Sequence, residues 1–225
     1  MKKIMYIMLL FLFLIGCSKN DDANKFKNEY EDLNGVTMSS GKEYLSMEIS
    51  SNNIIKYNTI EEIIDIIENG TGVIYLGFPE CPWCRNMIPA LFEAADSTAL
   101  EEIHYLNMYD VRDKLSLDED GNIVTEIEAQ EGYNELLNAL SSILDDYVLT
   151  DSDGNEVNTG EKRIYVPIVV FVKDGIIVDH HVGTVDSQVD PYIPLTEEEY
   201  NVLINIYKDK ILKILNNSCD REGSC

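Results

Sequence analysis

The stretch YLGFPECPWCRNMIP (residues 75–89) places Cys81 and Cys84 two residues apart, after an apolar run and before a helical pattern. The run itself, GVIYLGF (residues 72–78), has strand length and no alternation, as a strand buried on both faces shows. A helix follows from about Pro82 to Ala95. Strand, Cys-x-x-Cys, helix is an order that thiol chemistry can use. The unpaired N–H groups and positive end of the macrodipole at a helix N-terminus stabilise a thiolate, and the thiolate is the attacking species. On this logic Cys81, at the helix mouth, is the nucleophile. Cys84, turned inward three residues later, is the resolving thiol that breaks a mixed disulfide. Half of a metal site and a structural disulfide are the competing readings.

The other cysteines bear on that choice. Lys2 and Lys3 precede a twelve-residue apolar run, IMYIMLLFLFLI (residues 4–15), which fits a secretory signal and is too short to span a bilayer. It closes on LIGC (residues 14–17), which resembles the bacterial lipobox. That resemblance implies a signal peptide over residues 1–16, lipidation of Cys17 and a protein held on the extracytoplasmic face of the cell membrane. Two acyl chains suffice for stable anchoring. An ordinary signal peptide would also export the chain. Of five cysteines, four then remain, in two tight groups: Cys81 with Cys84, and Cys219 with Cys225. In an oxidising compartment an even count suggests local pairs.

The tail over residues 217–225 carries a possible second disulfide, Cys219–Cys225, with Gly223 to permit the turn. It reads either as an inert staple or as a mobile second redox pair. A zinc site from all four cysteines fits poorly, because the tail spacing is wider than a Cys-x₂₋₄-Cys knuckle; no metal and no cofactor is expected. His180 and His181 are adjacent on a strand and point to opposite faces. DEDGN and DSDGN lack the Gly and Glu of a calcium loop in register and read as turns.

With 41 acidic and 17 basic side chains the formal charge is −24, which argues against nucleic acid or anionic lipid surfaces as partners. Residues 17–35 are polar without an apolar period and read as a flexible tether. One domain follows over residues 36–216. EYLSMEIS (residues 43–50) suits a first strand. Thr59 and Glu62 make a capping box for a short helix that stops at Gly70. IHYLNMY (residues 103–109) reads as a strand, LSLDEDGNIVTEIE (residues 115–128) as a hairpin, and EGYNELLNALSSILDDY (residues 131–147) as a helix. A second turn at residues 151–155 leads to Val/Ile/Phe runs that flank Asp174-Gly175, a hairpin signal. Thr196 and Glu199 cap a long last helix.

With these elements in order, the chain resembles the thioredoxin superfamily over roughly residues 54–215. Beyond the Cys-x-x-Cys, Pro89 falls where that family kinks its helix. YVPIVVFVKDG (residues 165–175) resembles the family's cis-proline followed by two antiparallel strands, and Gly183 matches a glycine near the last strand. YLGFPECPWC (residues 75–84) is similar to the bacteriocin-transport-accessory branch of Gram-positive bacteria. The resemblance implies an α/β thioredoxin-like fold: a central mixed sheet flanked by helices, with an inserted hairpin and helix over about residues 111–162, before the cis-proline. It further implies a protein disulfide oxidoreductase acting on exported disulfide-containing proteins or peptides, with an electron donor or acceptor in the membrane. Cys81 and Cys84 would be catalytic; Pro167, Val166 and Trp83 would bind substrate. A thioredoxin-fold accessory module with a merely structural cysteine pair is the alternative.

Two departures stand out. Tyr75 occupies the position of thioredoxin's buried aspartate, and Glu80 that of its tryptophan before the motif. Glu80 is expected to raise the Cys81 pKa by like-charge repulsion, as in a reductant. Pro82-Trp83 resembles the motifs of glutaredoxins and oxidants. The balance leans to a reductase or isomerase.

Overall fold

A computed structural model describes residues 18–215 of the chain. Its core is a five-stranded sheet of β1 (Ile55–Tyr57), β2 (Gly72–Gly77), β3 (Ile103–Asn107), β8 (Ile168–Lys173) and β9 (Ile176–Val182), in the order β1-β3-β2-β8-β9. β3 runs parallel to β1 and β2, while β8 is antiparallel to both β2 and β9. The sheet is therefore mixed, and β2 lies at its centre. Period-two alternation splits its side chains between two cores. Val73, Tyr75, Ile103, Tyr105, Val169 and Phe171 face one; Ile74, Leu76, Leu106, Ile168, Val170 and Val172 face the other.

The first core is covered by α1 (Ser18–Glu31), α3 (Pro82–Ser97) and α5 (Glu197–Leu215). The second is covered by α2 (Ile60–Asn69) and the short α4 (Tyr133–Ala139). The caps read from the sequence form. The Thr59 hydroxyl accepts from the Glu62 N–H, and the Glu62 carboxylate accepts from the Thr59 N–H at 2.9 Å. Thr196 and Glu199 repeat this reciprocal pair at the head of α5. The thioredoxin-like architecture expected from the sequence, a central mixed sheet flanked by helices, is the one present.

Three local expectations are corrected. Residues 18–35 are not a tether: most of them form α1, whose Ala23, Phe26 and Tyr30 are buried at i, i+3 and i+7. One apolar residue per turn makes a stripe too narrow to show among its charges. Residues 43–50 do not pair as a strand. Instead the Asn34 side chain bonds both the N–H and the carbonyl of Met47, and the Ile49 N–H donates to Glu31 Oε1. The helix expected over residues 131–147 ends at Ala139; residues from Asp145 enter β6 (Asp145–Thr150), which pairs with β7 (Glu156–Arg163). Ser141 and Ser142 favour turns over helix, Leu144 packs into the second core, and strand pairing begins at Asp145.

The insertion thus holds two hairpins and α4, rather than one hairpin and a helix. The other hairpin is β4 (Lys114–Leu117) with β5 (Ile123–Ile127). Tyr147 Oη joins the two, accepting from the Leu115 N–H at 3.2 Å. The sites read at Cys17, Cys219 and Cys225 lie outside the described residues.

Candidate active site

β2 runs out at Gly77, and the chain turns through Phe78, Pro79 and Glu80 into α3. Cys81 is the N-cap of that helix, with extended backbone (φ −75°, ψ 116°), and Pro82 follows as its first residue. Proline suits that position because its missing N–H would be unpaired there anyway. Cys81 Sγ acts as the cap: it accepts from the Cys84 N–H at 3.3 Å. Both cysteines are free thiols. Both are buried, Cys81 at 5 % exposure and Cys84 completely, so the first sulfur is the less enclosed of the two.

The Val166–Pro167 bond is cis. It lies across from the helix mouth, where the Val166 carbonyl accepts from Cys81 Sγ at 3.8 Å. The Gly183 N–H donates to the Pro167 carbonyl at 2.8 Å, so β9 braces this loop. The fold brings Cys81, Cys84 and Val166 together around one sulfur, with Pro167 adjoining. Trp83 is half-buried and packs on the first core, beside the motif. Pro89 sits inside α3. His180 and His181 are away from this cluster; His181 Nε2 bonds the Thr184 carbonyl at 2.7 Å and its ring stands edge-on to Tyr207.

The two thiols shift in opposite directions. A hydrogen bond from the Cys84 thiol holds Cys81 below its ordinary pKa, against the opposing effect of burial. The N–H groups of Cys84 and Trp83 and the charge of Arg112 add to the lowering. Burial pushes Cys84 well up, and its bond to Cys81 adds to the rise. The rise expected for Cys81 from Glu80 is therefore corrected. Adjacency in sequence does not aim a side chain, and the Glu80 charge acts on Tyr44, Tyr105 and Arg85 instead.

Two arginines escaped the sequence reading. Arg112, at the start of the insertion, lies with its guanidinium 5.2 Å from the Phe78 ring centre and donates to the Ile164 carbonyl at 3.1 Å. It brings positive charge to the thiols from outside the motif. Arg85, next after Cys84, is 2 % exposed. It donates to the carbonyls of Leu45 (2.7 Å), Tyr30 (2.9 Å) and Pro79 (3.2 Å), and to Asn34 Oδ1 (3.0 Å). That fan ties α3 to α1 and to the segment after it. Neither arginine belongs to a repeating pattern or spaced motif, so no sequence signal marks them.

No family model and no curated protein matches the chain. Among solved structures it is similar to thioredoxin O2 from Arabidopsis thaliana in its oxidised state, at 14% identity and a TM-score of 0.34, covering 69% of this chain and 94% of that one. Thioredoxin from Aeropyrum pernix gives 15% identity and a TM-score of 0.33, covering 68% and 85%. A thiol:disulfide interchange protein of the thioredoxin family from Chlorobium tepidum TLS gives 12% and 0.29, covering 63% and 82%.

Proposed function

We propose that this chain is a thiol–disulfide oxidoreductase, lipid-anchored through Cys17 on the extracytoplasmic face of the membrane. It acts on exported disulfide-containing proteins or peptides and exchanges electrons with a membrane partner. One observation carries the redox reading: Cys81 Sγ caps α3, bonded by the Cys84 N–H at 3.3 Å and within 3.8 Å of the Val166 carbonyl. An extended partner segment lying along Val166 would bring its own sulfur within reach of that atom. The likeness of residues 75–84 to the bacteriocin-transport-accessory branch supports an exported, disulfide-bearing peptide as substrate.

The exchange runs in two steps. The Cys81 thiolate attacks one sulfur of the partner disulfide; the new S–S bond forms as the old one breaks, and the other partner sulfur leaves with the electron pair. Cys84 then attacks Cys81, the Cys81–partner bond breaks, and the partner leaves as a dithiol while Cys81–Cys84 is oxidised. Run backwards, the same steps install a disulfide. The lowered Cys81 pKa stabilises the reduced form, which moves the pair toward the oxidant end of the scale and away from the reductant leaning drawn from Glu80.

Cys81→Ser is expected to abolish reduction of a model disulfide peptide, and Cys84→Ser to accumulate a covalent mixed disulfide visible by mass. Membrane function surviving Cys81→Ser would instead support an accessory module with a structural pair. Loss of the lipid mass and of membrane partition in Cys17→Ala tests the anchor.

A further inference from the structure

α1 crosses the sheet instead of running along it. Tyr57 of β1, Tyr105 of β3 and Tyr75 of β2 stand in register across three neighbouring strands. α1 meets them in turn. Asp22 accepts from the Tyr57 N–H at 3.1 Å, the Phe26 ring stands edge-on to Tyr105 at 5.0 Å, and the Tyr30 hydroxyl lies 2.8 Å from that of Tyr75. The helix therefore starts at the β1 edge of the sheet and ends at its centre, beside the cysteine loop. There Arg85 donates to the carbonyls of Tyr30 and Pro79, at 2.9 Å and 3.2 Å. From Ser18 to Tyr30 the helix spans about 18 Å, at 1.5 Å per residue.

Both ends of α1 are tied to the domain. Near its start the Ala23 carbonyl accepts from Asn53 Nδ2 at 2.8 Å, and just past its end Asn34 bonds both backbone groups of Met47. Its outward face carries Asp21, Asn24, Lys25 and Asn28, and among the described residues of α1 no large apolar side chain is exposed. A helix that lies in a membrane surface needs Trp, Phe or Leu on that face. α1 thus has no long side to lay on lipid. The loop beside its start, Ser50-Ser51-Asn52-Asn53, is exposed or half-buried and uncharged. On so acidic a chain, that neutral rim is where headgroups approach with least repulsion.

We infer that α1 is a rigid strut that begins one residue after the lipid site and holds Cys81 about a helix length above the bilayer. The inference rests on the lipid-anchored oxidoreductase reading above and narrows the partners that reading allows. Cys17 joins Ser18 directly, so no free chain separates the lipid from α1. With the β1 edge toward lipid, the order β1-β3-β2 puts β2 and its cysteine loop on the far side of two strands. A disulfide in the headgroup layer, or a thiol pair inside the bilayer, is then out of reach. The substrate is a disulfide on a water-exposed segment standing about 18 Å off the membrane, one length of α1. The membrane electron partner must raise its own thiols to that level.

The test uses the full lipidated chain, with Cys219 and Cys225 changed to serine, in phosphatidylcholine vesicles. Two lipid-linked disulfide probes are compared: one at the headgroup, and one raised on about six prolines, about 19 Å at 3.1 Å per residue. Reduced protein should reduce the raised probe at least about tenfold faster, because a rigid link that cannot span the gap leaves almost no effective concentration. A Gly-Ser insertion of about twelve residues between Cys17 and Ser18 spans about 19 Å on average and should bring the two rates together. Equal rates without the insertion overturn the inference, and so does a preference that the insertion leaves unchanged. Trp83, the single tryptophan, stands beside Cys81 and reports position without chemistry. Nitroxide-headgroup lipids should leave its fluorescence unquenched, and quenching overturns the strut. If a soluble disulfide peptide is not reduced, the oxidoreductase reading has failed, and Trp83 still decides the geometry. If Cys17 carries no lipid mass, the anchor reading fails and the inference falls with it.

Discussion

A thiol's reactivity near neutral pH depends on how much of it is ionised, and Cys81 owes its ionisation to groups from three places: the Cys84 thiol, the first N–H groups of α3, and Arg112. The sign follows directly. A lowered pKa keeps the thiolate populated as pH falls below the ~8.5 of a free cysteine, and reactivity is lost only below the lowered value. Alkylation of Cys81 against pH should therefore show a midpoint below ~8.5. Arg112→Gln should move it upward and slow alkylation at neutral pH a few-fold; an unmoved midpoint would remove Arg112 from the site. At this scale the sequence was informative where residues form a spaced motif. Cys81 and Cys84 could be read from the strand and helix signals that frame them, and Val166-Pro167 only through the resemblance to the thioredoxin superfamily. Arg112 stands alone in a charged, irregular stretch and carries no such frame. Glu80 misled because its neighbour in sequence is not its neighbour in charge. Tyr75 was visible only as a departure; the structure packs it against Gly77 with its hydroxyl 2.8 Å from that of Tyr30.

Elements show the same contrast. β2, β8 and α5 were legible because long apolar runs or capped 3.6-residue periods leave little choice of structure. β1 spans three residues, too few to register a pattern. α1 was hidden by its own polarity, although Phe26 and Tyr30 are fully buried and Phe26 stands edge-on to Tyr105 at 5.0 Å. If α1 is part of the domain, Phe26→Ala should cost about 3–5 kcal/mol, the range for truncating a buried aromatic, read as a fall in the denaturant midpoint. A flexible tether would lose nothing. Arg85 explains why this helix matters to the site: with one guanidinium it holds the end of α1, the loop before Cys81 and the Leu45 carbonyl in register with α3. Where α4 stops, local turn chemistry and a hairpin outweighed a periodicity that continued to Leu144.

Across the whole molecule, helices α1, α3 and α5 close one face of the sheet around the cysteine pair, and the insertion reaches the same spot from the other side through Arg112. These features serve one claim, that Cys81 and Cys84 form a working redox couple, and its reduction potential tests that most directly. The chain lacking residues 1–17, with Cys219 and Cys225 changed to serine, would be equilibrated in glutathione or dithiothreitol buffers and its free thiols counted by alkylation and mass. One reversible two-electron transition is expected between about −270 and −120 mV, nearer the oxidising end because the Cys81 thiolate is stabilised. A pair that stays oxidised well below about −300 mV would contradict it and mark the disulfide as structural.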